Sequence, residues 1–178
     1  MVQGAARPDS GSSSREYGIT LECQPPAAAR PAVPFTLPVI VAVRAVGTSR
    51  GDPVQQLGVS VSLRNEAGNA PCAGLTGTLT ATVCSRRGNT MSGFGSFRGL
   101  TISQPGRYRL RVMLAAALEG GVATRAYVDS DVIVVHSGAP RAQRPSPTQV
   151  ATFQRLVQEN IGISAADIAA WQQANVSD

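Results

Sequence analysis

The stretch GFGSFRGLTISQPGRYRLRVML, residues 93–114, reads as two short strands joined by a Gln-Pro-Gly turn. In its second half the residues alternate. Tyr108, Leu110, Val112 and Leu114 fall on one face, and Arg107, Arg109, Arg111 and Met113 on the other. A period of two is that of a strand with one face buried and one face open. Pro and Gly at the junction supply the fixed and the permissive backbone torsions that a tight turn needs.

The same signal recurs on both sides. LGVSVSLRN (57–65) places Leu57, Val59, Val61 and Leu63 on one face, and Tyr17, Ile19, Leu21 and Cys23 do the same near the start. LPVIVAVRAV (37–46) is a β-branched run, LTGTLTATVC (75–84) is a further strand, and VATRAYVDSDVIVVHS (122–137) is a last strand or pair of strands. Strands at this spacing, joined by Gly- and Pro-rich turns and not alternating with helices, predict a mainly β fold. Its architecture is an immunoglobulin-like antiparallel β-sandwich with C-terminal α-helices.

The period changes after residue 146. Ser146 followed by Pro147 is a helix start, and Val150, Phe153, Leu156, Val157 and Ile161 form an apolar stripe at helical spacing. Gly162 is expected to stop that helix. Ser164 with Asp167 resembles a capping box that opens a second helix carrying Ile168 and Trp171. Three segments follow: a Gly/Ser-rich disordered tail over 1–15, a sandwich over 16–140, and a helical segment over 141–178 packed on the sandwich or on a partner. Phe153, Leu156, Val157, Ile161 and Trp171 are the candidate partner-binding residues.

The chain has 178 residues and a formal charge of +5, and each of its 16 basic residues is arginine. Planar, permanently charged forks suit phosphate. No apolar run reaches the roughly 18 residues of a membrane span. The first residues lack the apolar core of a secretory signal. Cys23, Cys72 and Cys84 make an odd number, which together with that start fits a reducing compartment, although Cys72 and Cys84 stand where a hairpin can pair them.

Nothing points to catalysis, a cofactor, a metal or a small-molecule substrate. His136 is the lone histidine, beside a β-branched run and without an arranged second group. Asp129 and Asp131 have no partner at metal-ligand spacing, and the cysteines have no CxxC pattern. GFGSFRG feeds a strand and not a helix, so it is no dinucleotide loop. The arginines remain. Arg107, Arg109 and Arg111 are either a solvated outer face with local acids for company or a phosphate-facing stripe. Arg86, Arg87 and Arg98 precede them, and Arg30 lies in a proline-rich loop.

Four pieces together resemble the velvet domain, a fungal transcription-regulator fold similar in shape to the Rel-homology domain. YGITLECQPPAAAR resembles that family's opening strand and its Gln-Gln-Pro-x-x-Ala-Arg loop, with Gln24, Pro26, Ala29 and Arg30 matching. PAVPFTLPVIVAV resembles the lead into the next strand. In 93–114, Phe97, Leu100, Gly106, Tyr108, Arg109, Leu110 and Arg111 match. SDVIVVHSGAP, before a helix that starts with Ser-Pro, resembles the end of the domain. The last strand departs from the pattern, with Ile133 and His136 where the family has Phe and Tyr.

The resemblance implies a nuclear regulator that binds double-stranded DNA and pairs with another velvet-like subunit. Together with the arginine-rich segments, it makes Gln24, Arg30, Arg86, Arg87, Arg98, Arg107, Arg109 and Arg111 the candidate DNA contacts. A protein of this kind positions itself mainly through backbone phosphates. The alternative is an immunoglobulin-like structural or adhesion module with no nucleic-acid role.

Overall fold

A computed structural model describes residues 16–46, 56–86, 92–118 and 120–174. The expected tail over 1–15 and Arg87 lie outside the described residues. In chain order the strands are β1 (Glu16–Cys23), β2 (Ala28–Ala29), β3 (Val39–Val46), β4 (Gln56–Asn65), β5 (Pro71–Cys72) and β6 (Leu75–Thr76). They continue with β7 (Thr80–Thr82), β8 (Gly93–Phe97), β9 (Thr101–Ile102), β10 (Gly106–Leu118), β11 (Gly121–Asp129) and β12 (Ile133–Val135). Two helices follow, α1 (Pro147–Leu156) and α2 (Ala165–Gln172).

β1, β3 and β8 form one antiparallel sheet, with β3 central. The other sheet runs β2-β12-β10-β4-β5, with β11 beside the far part of β10 and β7 beside β4. Two short strands, β6 and β9, pair separately. The first strand is shared between the sheets. β1 pairs antiparallel with β3, and then β2 crosses over to pair parallel with β12. Cys84 makes the opposite crossing, bridging to Phe94 of β8 after β7 has paired with β4. Such strand switching at both edges belongs to an immunoglobulin-like sandwich.

The sequence pattern tells which sheet is covered. β4 alternates strictly, with Leu57, Val59, Val61 and Leu63 buried and the residues between them more open. In β3, Val39, Ile40 and Val41 are all fully buried. Strict alternation marks a sheet with one wet face, and a continuous apolar run marks a sheet covered on both. The β3 sheet is therefore the middle layer. On one side it packs against the β4–β10 sheet over Val41, Val59, Phe97, Leu110 and Val112. On the other it packs against the helices over Cys23, Leu37, Ile40, Phe153, Leu156 and Trp171. Burial in this second layer pushes the Cys23 thiol up to about 12.

The Gln-Pro-Gly turn is a tyrosine corner. The Tyr108 hydroxyl, at the start of β10, folds back to the carbonyls of Gln104 (3.0 Å) and Pro105 (3.2 Å). Burial raises its pKa, which keeps the phenol a donor. Gly106 has φ +154°, and a Cβ there would stand 3.0 Å from the Tyr108 ring, so glycine is required. Removing the hydroxyl in Tyr108→Phe is expected to lower stability by about 1 kcal/mol in chemical denaturation, the worth of one net hydrogen bond.

Three local expectations are corrected. Residues 75–84 do not form one strand: the chain leaves one sheet for the other, breaking into β6, β7 and the Cys84 bridge. The strand of 37–46 begins at Val39, because Leu37 turns toward the helices. α1 ends at Leu156 and tightens into a 3-10 turn over Val157–Glu159, closed by left-handed Asn160 (φ 62°) before Gly162 is reached. Both capping boxes, Ser146 with Gln149 and Ser164 with Asp167, are present.

Candidate nucleic-acid interface

β10 is paired on both sides, so its outward side chains stand in the middle of the open face. Arg107 forms an ion pair with Glu66 at 3.0 Å, and about half of each side chain stays exposed. Arg109 spans two loops. Its Nε donates to the Glu66 carbonyl (2.7 Å) and its Nη1 to the Ser130 carbonyl (2.8 Å). Arg111 is the most engaged. It grips Asp129 with two bonds of 2.7 and 2.9 Å, donates to the Gly68 carbonyl, and lies 4.2 Å from the centre of the Tyr127 ring. Its side chain is only 14% exposed. Arg111 is thus mostly scaffold, and Arg107 the most available of the three.

Register brings in an arginine that sequence reasoning missed. Arg64 of β4 lies directly opposite Arg109. Its Nε is buried and has no partner among the described residues. Four guanidinium groups therefore meet two carboxylates, Glu66 and Asp129, at this end of the open face, with Asp131 exposed in the adjoining loop. The signal that could have found Arg64 is its place at the end of an alternating strand. Only the pairing of two strands 45 residues apart, Arg64 with Arg109, makes it a neighbour.

The field is visible in the carboxylates. The hydrogen bond from Arg107 is the main cause holding the Glu66 carboxyl below its usual range, with the Arg107 and Arg109 charges adding to it against some desolvation. The bond from Arg111 does the same to Asp129, helped by the charges of Arg111, Arg64 and Arg109. A carboxyl whose folded pKa is depressed stabilises the fold above its unfolded value, about 3.9 for Asp and about 4.3 for Glu, and that contribution fades as pH falls through the folded value. Acid titration of stability should therefore begin its fall near pH 4 and continue below it. Asp129→Asn should flatten that fall, while an unchanged acid limb would contradict the pairing.

The other candidate residues do different work. The Gln24 side-chain oxygen accepts from the Asp131 N–H (3.0 Å), and the Arg30 Nε donates to the Ala139 carbonyl. Both tie the β1–β2 crossover to the two ends of β12. Ala28, Val134 and Arg107 are successive neighbours across the open sheet, so Arg30 follows a strand at that sheet's edge. Arg98 lies on the far side of the sandwich. It pairs with Asp167 (3.3 Å), donates to the Gly162 carbonyl and sits over the Trp171 ring. It clamps the helices and does not join the stripe. Arg86 is also on the far side, beyond the Cys84 bridge, where its backbone N–H donates to Glu159.

Most of the apolar helical stripe packs within the chain. Phe153 and Leu156 are fully buried and Trp171 is 7% exposed, with Val157 and Ile161 packed against them. Phe153 and Trp171 meet ring to ring at 4.9 Å. Phe153, Leu156 and Trp171 thus belong to the chain's own second core, while Val157 and Ile161 stay half-buried at its edge. The three cysteines are separate free thiols. Among the described residues no group of three or more His, Cys, Asp or Glu is placed to hold a metal ion, and no helix is long and apolar enough to cross a membrane.

No family model and no curated protein matches the chain. Among solved structures, the cohesin module of a family 33 glycoside hydrolase from Clostridium perfringens ATCC13124 matches 69% of this chain and 98% of that module. The sequence identity is 7% and the TM-score 0.32. That likeness is too distant to carry an argument about function.

Proposed function

We propose that the chain is a velvet-like nuclear regulatory module that binds double-stranded DNA through backbone phosphates on its open β face and acts as a dimer with another velvet-like subunit. The observation that carries this reading is the meeting of Arg64, Arg107, Arg109 and Arg111 around two carboxylates. Arg64 and Arg109 have no carboxylate of their own among the described residues. A phosphate seated between them would supply the missing anion. The site is thus smaller than the motifs imply: Arg64, Arg107 and Arg109 make the contacts, Arg111 and Gln24 hold the frame, and Arg30 stands at the sheet edge. Arg86 and Arg98 face away from it.

The test is binding to a labelled duplex at low salt. Replacing Arg64 and Arg107 with glutamine removes two charges and spares the loop-bridging bonds of Arg109. The double variant should bind about tenfold weaker or worse, with a salt dependence shallower by about two. Arg98→Gln should bind as the parent does. Equal binding by the double variant would move the site elsewhere.

One observation favours the second reading, an immunoglobulin-like structural or adhesion module. The motif residues Gln24, Arg30, Gly106 and Tyr108 all have scaffold roles that any such sandwich can use. Absence of duplex binding at low salt, with the fold intact, selects that reading.

A further inference from the structure

We propose that the groove on the opposite side of the molecule, where the helices stop covering the middle sheet, binds a small amphipathic anion: an apolar chain or ring ending in a carboxylate or phosphate. α1 and α2 cover one end of the middle sheet, over Cys23, Leu37 and Ile40. Along β3 the next outward residues are Ala42 and Arg44, and Ala42 is paired with Phe94 of β8. Among the described residues no helix lies over this end. A groove of about 450 Å³ remains, floored by Ala42 and Phe94 and rimmed by Arg44, Arg86, Glu22 and Glu159. That volume lies within the few hundred Å³ that small-molecule sites occupy, and an apolar floor with a few convergent polar groups is their usual make-up.

The rim sets the charge of the guest. Glu22 is engaged by Arg155 at 3.3 Å, and Glu159 accepts from the Arg86 backbone N–H at 3.1 Å. Both carboxylates are thereby turned to partners of the chain. Neither Arg44 nor Arg86 forms an ion pair among the described residues. Two guanidinium groups from separate segments thus overlook an apolar floor, the arrangement that an anionic head on an apolar body satisfies. This site shares no residue with the open-face arginines, so it stands or falls independently of duplex binding.

The probes are octanoate and octyl phosphate, titrated calorimetrically into the full chain. At least one should bind with one-to-one stoichiometry, and the better of the two identifies the head group. Arg44→Glu with Arg86→Glu should weaken it by about tenfold or more, whereas Arg107→Glu on the other face should leave it unchanged. Amide shifts in the unmodified protein give a second readout, expected at Ala42, Ser85 and Phe94. Failure of both probes to bind, equal binding by the double variant, or shifts confined to other faces would each overturn the proposal.

Discussion

Phe153→Ala should lower the stability of the whole domain by about 3–5 kcal/mol, the usual loss for a buried aromatic cut to alanine. Phe153 is fully buried and sits against Trp171 between the middle sheet and the helices. The helices are short, so their own propensity holds little, and packing of the apolar stripe is what keeps them in place. Chemical denaturation checks the magnitude. The outcome also separates two uses of the stripe. If it serves the chain's own core, the variant is destabilised and its oligomeric state is unchanged. A change in oligomeric state with stability kept would return the stripe to a partner.

Gly95→Val should cost about 3 kcal/mol, at the upper end of what overpacking a tight core does. Gly95 points inward from β8, and a Cβ there would stand 2.5 Å from a Val59 methyl of the facing sheet and 3.5 Å from one of Val41. Both neighbours belong to central strands, so neither sheet yields easily. The adjacent residue gives an internal control. Ser96 points to the other face, and its buried hydroxyl has no partner among the described residues. Ser96→Ala should therefore be neutral or slightly stabilising, since a buried unpaired polar group is a cost removed. Equal damage from the two substitutions would contradict the inward and outward assignment of β8.

Much of this fold was legible in residue order. The alternation of β4 and β10 announced a sheet with one open face, and the β-branched run of β3 announced a strand. The capping residues Ser146 and Ser164 placed both helix starts. What was not legible depends on contacts between distant segments. The break in 75–84 follows from a switch between sheets, which a β-rich run does not signal. Arg98 and Arg107 look alike in the sequence. Nine residues and one corner put them on opposite sides, where Arg98 meets Asp167 and Trp171 and Arg107 meets Glu66. Arg64 attracts no notice until β4 pairs with β10. Gln24 and Arg30 formed a visible motif, yet their bonds reach to Asp131 and Ala139, more than 100 residues on.

The proposed role of the open β face is to meet a polyanion. Its most direct test is the affinity of the unmodified protein for a short labelled duplex across a range of salt concentrations. Three or so phosphate contacts predict tight binding at low salt that weakens steeply, with a log–log slope of roughly −3. A flat dependence on salt, or no binding at the lowest salt, would contradict it.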